Sequence, residues 1–363
     1  MKAALVRELG AGFEVTEVEI SKPIGREVLV EIRASGLCHT DLTFSRNDMG
    51  VPLPALLGHE ISGVVTDVGP DVESLTVGDH VVACLVQYCG TCVKCLEGKI
   101  YQCLRPEATL RKPADGARIT RADTDVTQVF GLGGFAQQAL VHELQLVKIP
   151  DAMPFAQAAL LGCGVVTGGG SVINTAHVRP GDAIVVVGAG GVGLNSISAG
   201  VVAGATTIVA VDVSDEKLEK ARSCGATHVI NSTTTDPVEE VLSVTGRGAD
   251  AVFDFVGIPA VTEQALAMTA VGGGLYLIGL VDPTASFPLS TLAIIMSQKR
   301  IQGVNMGSTI PRRDIPMYAD LYLQGRFQLD HLISREISLG EINEGYEALH
   351  DPAVARVVVT DLG

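Results

Sequence analysis

The stretch that most restricts the fold is "DAIVVVGAGGVGLN", from Asp182, taken with the residues C-terminal to it. A run of branched apolar residues ends in Gly188, Gly190, Gly191 and Gly193, and a small-residue helix continues to about Ala203. "TTIVAVD" is the next strand, "DEKLEKARSCG" a charged helix stopped by glycine, and "HVI", "AVFDFVG" and "GGLYLIGL" continue the series. "PAVTEQALAMTA" is a helix between the last two. Strands alternating with helices require a parallel sheet covered on both faces, so the fold class is α/β with a doubly wound sheet. The alternation fades after about Asn305.

Gly188, Gly190 and Gly193 form G-x-G-x-x-G, a pattern that is weak alone but here follows a strand and opens a helix, the context it requires. The first glycine permits the tight turn, the second lets a pyrophosphate approach the backbone, and the third lets the helix pack on the strand. The helix N-terminus then offers free N–H groups to phosphates. Asp212 stands where an acid would bind the adenosine ribose. Its carboxylate accepts from both ribose hydroxyls and repels a 2′-phosphate. No arginine follows closely and Lys217 is the nearest cation, so NAD is favoured over NADP.

The first 160 or so residues have another texture. "EVLVEIRASG", "EISGVVTDVG" and "DHVVACLV" are β-rich runs separated by the turn signals "VGPDV" and "LTVGD". After the alternating region, "REISLGEINEGYEALHD" and "ARVVVTDL" return as strand and helix. There is no internal repeat, low-complexity tract or long linker. A net charge of −15 speaks against a nucleic-acid partner. The N-terminal "MKAALVRELGAGFEV" has no continuous apolar region of the kind a signal peptide carries. Ala183 to Ala205 has the length of a membrane span, but its glycines and Asn195, Ser196 and Ser198 make a strand, turn and helix the better explanation. The expectation is a cytoplasmic chain with no membrane partner.

Six of the eight cysteines lie between Cys38 and Cys103. Without a secretion signal, metal ligation is favoured over disulfides. Cys89, Cys92, Cys95 and Cys103 form C-x2-C-x2-C-x7-C, four thiolates suited to a closed tetrahedral zinc site that leaves no position for substrate. An iron–sulfur cluster also uses four cysteines, at different usual spacings. Cys38 in "GLCHTD", His59 in "LLGHEISG" and Cys163 in "LLGCGVVTG" are scattered, and a lone histidine is more often a satisfied polar residue than a ligand. Together they make Cys2His, the ligand set of an open catalytic zinc site, known as that of alcohol dehydrogenases. Cys84 and Cys224 have no ligand role in this scheme.

"GLCHTD", "GHE", the four-cysteine lobe, "GCGVVTG" and "GAGGVG" occur in the order of the zinc-dependent medium-chain alcohol dehydrogenases, within the medium-chain dehydrogenase/reductase superfamily. The chain resembles that family over nearly its whole length. The long segment from Cys103 to Cys163 is similar to the liver-type and thiol-dependent formaldehyde dehydrogenase branches. The resemblance implies a GroES-like β-rich catalytic domain with two zinc sites (residues 1–164 and 306–363) and a Rossmann NAD-binding domain (165–305). It implies a catalytic zinc on Cys38, His59 and Cys163 and a structural zinc on the four-cysteine lobe. Thr40 is expected to take the substrate proton, Asp41 to orient His59, and Glu60 to lie beside the metal. Thr167, Val192 and the Gly188–Gly193 turn would contact the cofactor, with Asp212 and Lys217 at its ribose end and His39 and Arg356 at the pyrophosphate.

The implied reaction is hydride transfer between a primary alcohol, aromatic and other hydrophobic ones included, and NAD, giving the aldehyde. In the liver-type pattern the proton leaves through a histidine three residues beyond the Thr40 hydroxyl. Here that position is Thr43, so water or a histidine such as His39 must accept it. The alternative substrate is an S-(hydroxymethyl) adduct of glutathione or mycothiol, itself an alcohol. A non-catalytic dinucleotide-binding relative is the remaining rival, and a zinc-free quinone reductase would lack the cysteine lobe. The family also implies a homodimer or homotetramer, with a strand near "KRIQGVNM" pairing across the interface.

Overall fold

The structure is a computed structural model that describes residues 1–280 and 284–363. The chain divides into two compact units. One holds Met1–Cys163, Ile310–Gly325 and Leu329–Gly363, and the other Gly164–Thr309 and Arg326–Gln328.

The first unit is built on a mainly antiparallel sheet, a GroES-like arrangement. In spatial order it runs Leu146–Lys148, His80–Ala83, Glu60–Val68, Glu27–Gly36, Arg356–Asp361 and Ile333–Ser338, with Gln138–His142 also paired to Glu27–Gly36. Val358 and Val359 pair with Gly36 and Ser35, so the end of the chain lies beside the central strand. A second sheet joins Thr127–Gln128, Ala55–Leu56, Lys2–Val6 and Glu14–Glu17. The core between them contains Leu5, Val28, Val30, Leu56, Phe135 and Val357, all fully buried. Each such side chain contributes about 1.5–3 kcal/mol through burial. The long segment beyond Cys103 folds into short 3-10 turns and a small sheet of Glu19–Ile20, Ile119–Arg121 and Thr124–Asp125.

The second unit is a six-stranded parallel sheet in the order His228–Asn231, Thr207–Asp212, Ala183–Val187, Ala249–Asp254, Thr269–Leu277, Arg300–Gly303. Numbered along the chain that is 3-2-1-4-5-6, the Rossmann order, in which the order of successive strands turns back at Ala183–Val187 while all six stay parallel. The glycine turn begins at that point. The helix Pro237–Thr245 has no counterpart in the sequence expectations, although its signals are present: Asp236 accepts from the N–H groups of Val238 and Glu239, proline follows, and Gly246 closes it.

A second difference lies at residues 155–176. They form a continuous helical run with π-helical turns at Leu161–Val165 and Ser171–Ala176, where the sequence pattern shows only a glycine-rich ligand motif. The glycines lower helix propensity but allow close contact: a Cβ on Gly162 would collide with the Ala83 carbonyl. By length and composition this run could cross a membrane, yet 78% of its most apolar window is buried within the protein. The segment Ala183 to Ala205 is a strand, the glycine turn and the helix Gly193–Ala203.

Candidate active site

Three neighbouring strands and one helix bring the dispersed ligand candidates together. Cys38 follows the strand Glu27–Gly36 and precedes the helix His39–Arg46. Glu60 opens the antiparallel partner strand and pairs with Gly36, which sets His59 and Glu60 beside Cys38. A Cβ on Gly36 would collide with the Glu60 carboxylate, so a larger residue there would have to displace Glu60. Arg356 opens the strand on the other side of Glu27–Gly36. Cys163 enters from the π-helical turn Leu161–Val165, a local widening often found at functional sites.

The donor atoms of Cys38, His59, Glu60 and Cys163 all lie within 4.8 Å of one another, and all four residues are buried. His59 Nδ1 faces the Asp41 carboxylate at 3.0 Å, and Asp41 Oδ1 also accepts from the Gly58 N–H at 3.0 Å. That leaves His59 Nε2 buried without a hydrogen-bond partner, as are both Glu60 oxygens. The Arg356 guanidinium is 3.6 Å from Glu60 and donates to the Leu37 carbonyl at 3.5 Å.

These groups press on one another's protons. A hydrogen bond from Cys163 draws the Cys38 thiol well below its usual range, against burial and with help from His59 and Arg356. The Cys163 thiol, donor in that bond and buried, is pushed well up. Burial works against charge on His59, but Asp41 and Cys38 outweigh it and hold the imidazole well above its usual value. Burial raises Asp41. It also raises Glu60 to about 7, opposed first by Arg356. A buried thiolate and an unpartnered ring nitrogen are expensive unless a cation replaces the protons. Zinc fits this donor set at about 2.0–2.3 Å per ligand.

The second cluster, Cys89, Cys92, Cys95 and Cys103, has the spacing of a closed site. Its sulfurs are 3.5 Å (Cys92–Cys95), 3.8 Å (Cys92–Cys103) and 4.0 Å (Cys89–Cys95) apart. Tetrahedral zinc with bonds of about 2.3 Å needs roughly 3.8 Å. Backbone N–H groups of Cys89, Cys92 and Arg105 donate to these sulfurs. Hydrogen bonding from the Thr91 backbone, ahead of the other contributions, lowers Cys89 to about 5. These are the two candidate metal groups among the described residues.

The remaining site candidates lie around these clusters and along the glycine turn. Thr40 is half-buried in the first turn of His39–Arg46, and His39 is exposed. Thr43 is exposed and donates to the His39 carbonyl at 3.0 Å. In the second unit, Gly188 has φ 93°, and a Cβ on Gly193 would collide with the Gly188 carbonyl. A Cβ on Gly190 would meet open space, the room a phosphate group needs. Gly191 and Val192 lead into the helix Gly193–Ala203. The Asp212 carboxylate accepts from the N–H groups of Ala189 at 2.8 Å, Val213 at 2.8 Å and Ser214 at 3.1 Å. A carboxylate has about four acceptor sites, so capacity for a ribose remains. Lys217 is half-buried in the helix Asp215–Ser223, and the Thr167 hydroxyl lies 3.5 Å from Met306 Sδ. The sequence expectations missed Phe130, whose ring meets His59 edge-on at 5.7 Å. Its only sequence signal is the glycine-rich "FGLGG" around it.

The family profile described as alcohol dehydrogenase GroES-like domain matches residues 25–151, and the zinc-binding dehydrogenase profile matches 191–324. The NDMA-dependent alcohol dehydrogenase of Amycolatopsis methanolica is 36% identical, over 99% of this chain and 98% of that protein. The S-(hydroxymethyl)glutathione dehydrogenase of Paracoccus denitrificans is 36% identical over 99% of each. The crystal structure of benzyl alcohol dehydrogenase from Acinetobacter calcoaceticus superposes with a TM-score of 0.94 at 34% identity, covering 99% of each chain. The chain belongs to the zinc-binding medium-chain alcohol dehydrogenase family and is a zinc-dependent alcohol dehydrogenase.

Proposed function

We propose that the protein oxidises a primary alcohol to the aldehyde with NAD as hydride acceptor, and runs the reverse reduction at the same site. The observation that carries this is the buried Cys38, His59, Glu60 and Cys163 cluster with its unpartnered His59 Nε2. Cys38, His59 and Cys163 would hold the zinc, and Cys89, Cys92, Cys95 and Cys103 a second, structural zinc. Bound zinc supplies Lewis acidity toward an alcohol or carbonyl oxygen, and a nicotinamide supplies the hydride acceptor.

The chain's own residues do the rest. Asp41 takes the His59 Nδ1–H and so fixes the tautomer with Nε2 free. Glu60, paired with Arg356, balances charge beside the ligands and can exchange as a transient ligand. Thr40 takes the substrate proton, two positions beyond Cys38. The Gly188–Gly193 turn would receive the pyrophosphate. Thr167 and Val192 flank the nicotinamide. Asp212 and Lys217 hold the adenosine ribose, and the Asp212 charge selects NAD.

A second substrate reading is an S-(hydroxymethyl)thiol, supported by the similarity to the Paracoccus denitrificans enzyme. The benzyl alcohol dehydrogenase likeness supports aromatic alcohols. NADH formation is therefore measured with benzyl alcohol, and with formaldehyde in the presence or absence of glutathione or mycothiol. Benzyl alcohol turnover with two zincs per chain is expected. NADH formed only from formaldehyde plus a thiol overturns the first reading. Self-association is part of the proposal. The helix Thr291–Ser297 exposes Leu292, Ile295 and Met296 by 67–73%, next in sequence to the edge strand Arg300–Gly303.

A further inference from the structure

The turn Val129–Leu132 is buried except at Phe130, and side chains rather than a strand partner satisfy three of its carbonyls. Phe130 has φ 55° and Gly131 φ 71°, and a bulky residue stays in that region only where its surroundings hold it. Three consecutive carbonyls each accept from a different side chain. Gln145 Nε2 donates to Phe130 O at 3.0 Å, Arg118 to Gly131 O at 3.5 Å, and Gln128 Nε2 to Leu132 O at 2.8 Å. Gln145 is fully buried and also donates to the Cys84 carbonyl at 3.3 Å. Arg118 is buried too, held by Glu27 and the Thr109 carbonyl at 2.7 Å each.

What this fastening fixes is one ring. Phe130 meets Phe44 at 5.1 Å and His59 at 5.7 Å, both edge-on. Gln145, Arg118 and Gln128 each direct a side-chain N–H to a carbonyl of this turn. Buried side chains committed to main-chain carbonyls remove freedom from the Phe130 backbone in advance. A ring immobilised beside His59 offers an aromatic ligand an edge or face without the cost of ordering it.

We propose that Gln145, Arg118 and Gln128 are positioning residues that fix the Phe130 ring beside His59, and that this fixed ring favours aromatic over short aliphatic alcohols. This rests on the cluster being the alcohol site. An aromatic pair of ordinary strength corresponds to a selectivity of roughly threefold to tenfold. The test compares Gln145→Met, Phe130→Ala and the double variant, each checked for two zincs per chain. The ratio of KM for benzyl alcohol to KM for ethanol is expected to rise about threefold to tenfold in Gln145→Met. In the double variant it should match Phe130→Ala alone. An unchanged ratio, or additive effects in the double variant, overturns the proposal. Gln128→Met, on a half-buried residue, should shift the ratio the same way and serves if Gln145→Met does not fold.

A readout independent of turnover is the 19F resonance of 4-fluorophenylalanine placed at position 130. Gln145→Met should shift or broaden it, and an unmoved resonance refutes the clamp. If the resonance moves while the wild-type protein oxidises no alcohol, the alcohol-site assignment and the selectivity fail and the clamp stands.

Discussion

Thr43 uses its hydroxyl hydrogen on the His39 carbonyl, at 3.0 Å, one helical turn back. A hydroxyl so engaged has no basicity near neutral pH, and it stands where the family pattern leads one to expect a histidine. On the proposed mechanism, the proton taken at Thr40 would leave to water or to His39, which is exposed and adjoins Cys38 in the chain. Thr40→Ala should lower kcat by about 10²–10⁴. Metal analysis should still find two zincs per chain. Wild-type turnover in that variant would remove Thr40 from the mechanism. Thr43→His should restore a base titrating near its ordinary value of ~6.5. The alkaline-rising limb of the kcat profile for alcohol oxidation should then move to lower pH, and an unmoved limb argues that proton release to solvent does not limit the rate. Thr40 and Thr43 are singled out by the family resemblance, which counts both positions from Cys38. The Phe130 ring is not, since its approach to His59 depends on a turn 71 positions further along the chain, counted from residue 59 to residue 130.

At the scale of elements, the strand Glu27–Gly36 links the metal cluster to the long segment beyond Cys103. Its far end leads to Cys38, and its first residue, Glu27, accepts from Arg111 at 2.7 and 2.8 Å and from Arg118 at 2.7 Å. Burial pushes the Glu27 carboxyl up, but the hydrogen bonds from Arg111 and Arg118 outweigh it and hold it below the usual value. A group whose folded pKa is depressed stabilises the fold above its unfolded pKa and loses that contribution as pH falls through the folded one. Glu27→Gln leaves Arg118 buried without its counter-charge and should cost about 3–5 kcal/mol at neutral pH. The gap between wild type and variant should begin to close below about pH 5 and keep closing toward the depressed pKa. Urea midpoints taken from pH 7 downward check this, and a gap constant with pH would mean that Glu27 acts through shape alone. None of this network was visible in the sequence. Arginines at 111 and 118 look like solvated charges until a glutamate 84 and 91 positions away is seen to bind them.

For the molecule as a whole, the parts legible in advance were those written in local patterns: strand and helix alternation around Gly188–Gly193, and four cysteines in one lobe. The helical run at 155–176 was hidden because its glycines serve packing, as at Gly162 against Ala83, while lowering the helical signal. The edge strand Arg300–Gly303 presents a question that neither pattern answers. It has one partner, Thr269–Leu277, among the described residues, and an open edge invites another strand. Near it in sequence, Leu292, Ile295 and Met296 stand far into solvent on one short helix, a patch that a stable monomer has reason to cover. If a second copy covers it, sedimentation should give a multiple of the 37.8 kDa chain mass. Leu292→Glu with Ile295→Glu should bring the mass down to that of one chain, since charge buried at such an interface is strongly unfavourable. Zinc content should stay unchanged, because both clusters belong to the other unit. A wild-type protein that sediments as a single chain would show that the patch serves something other than self-association.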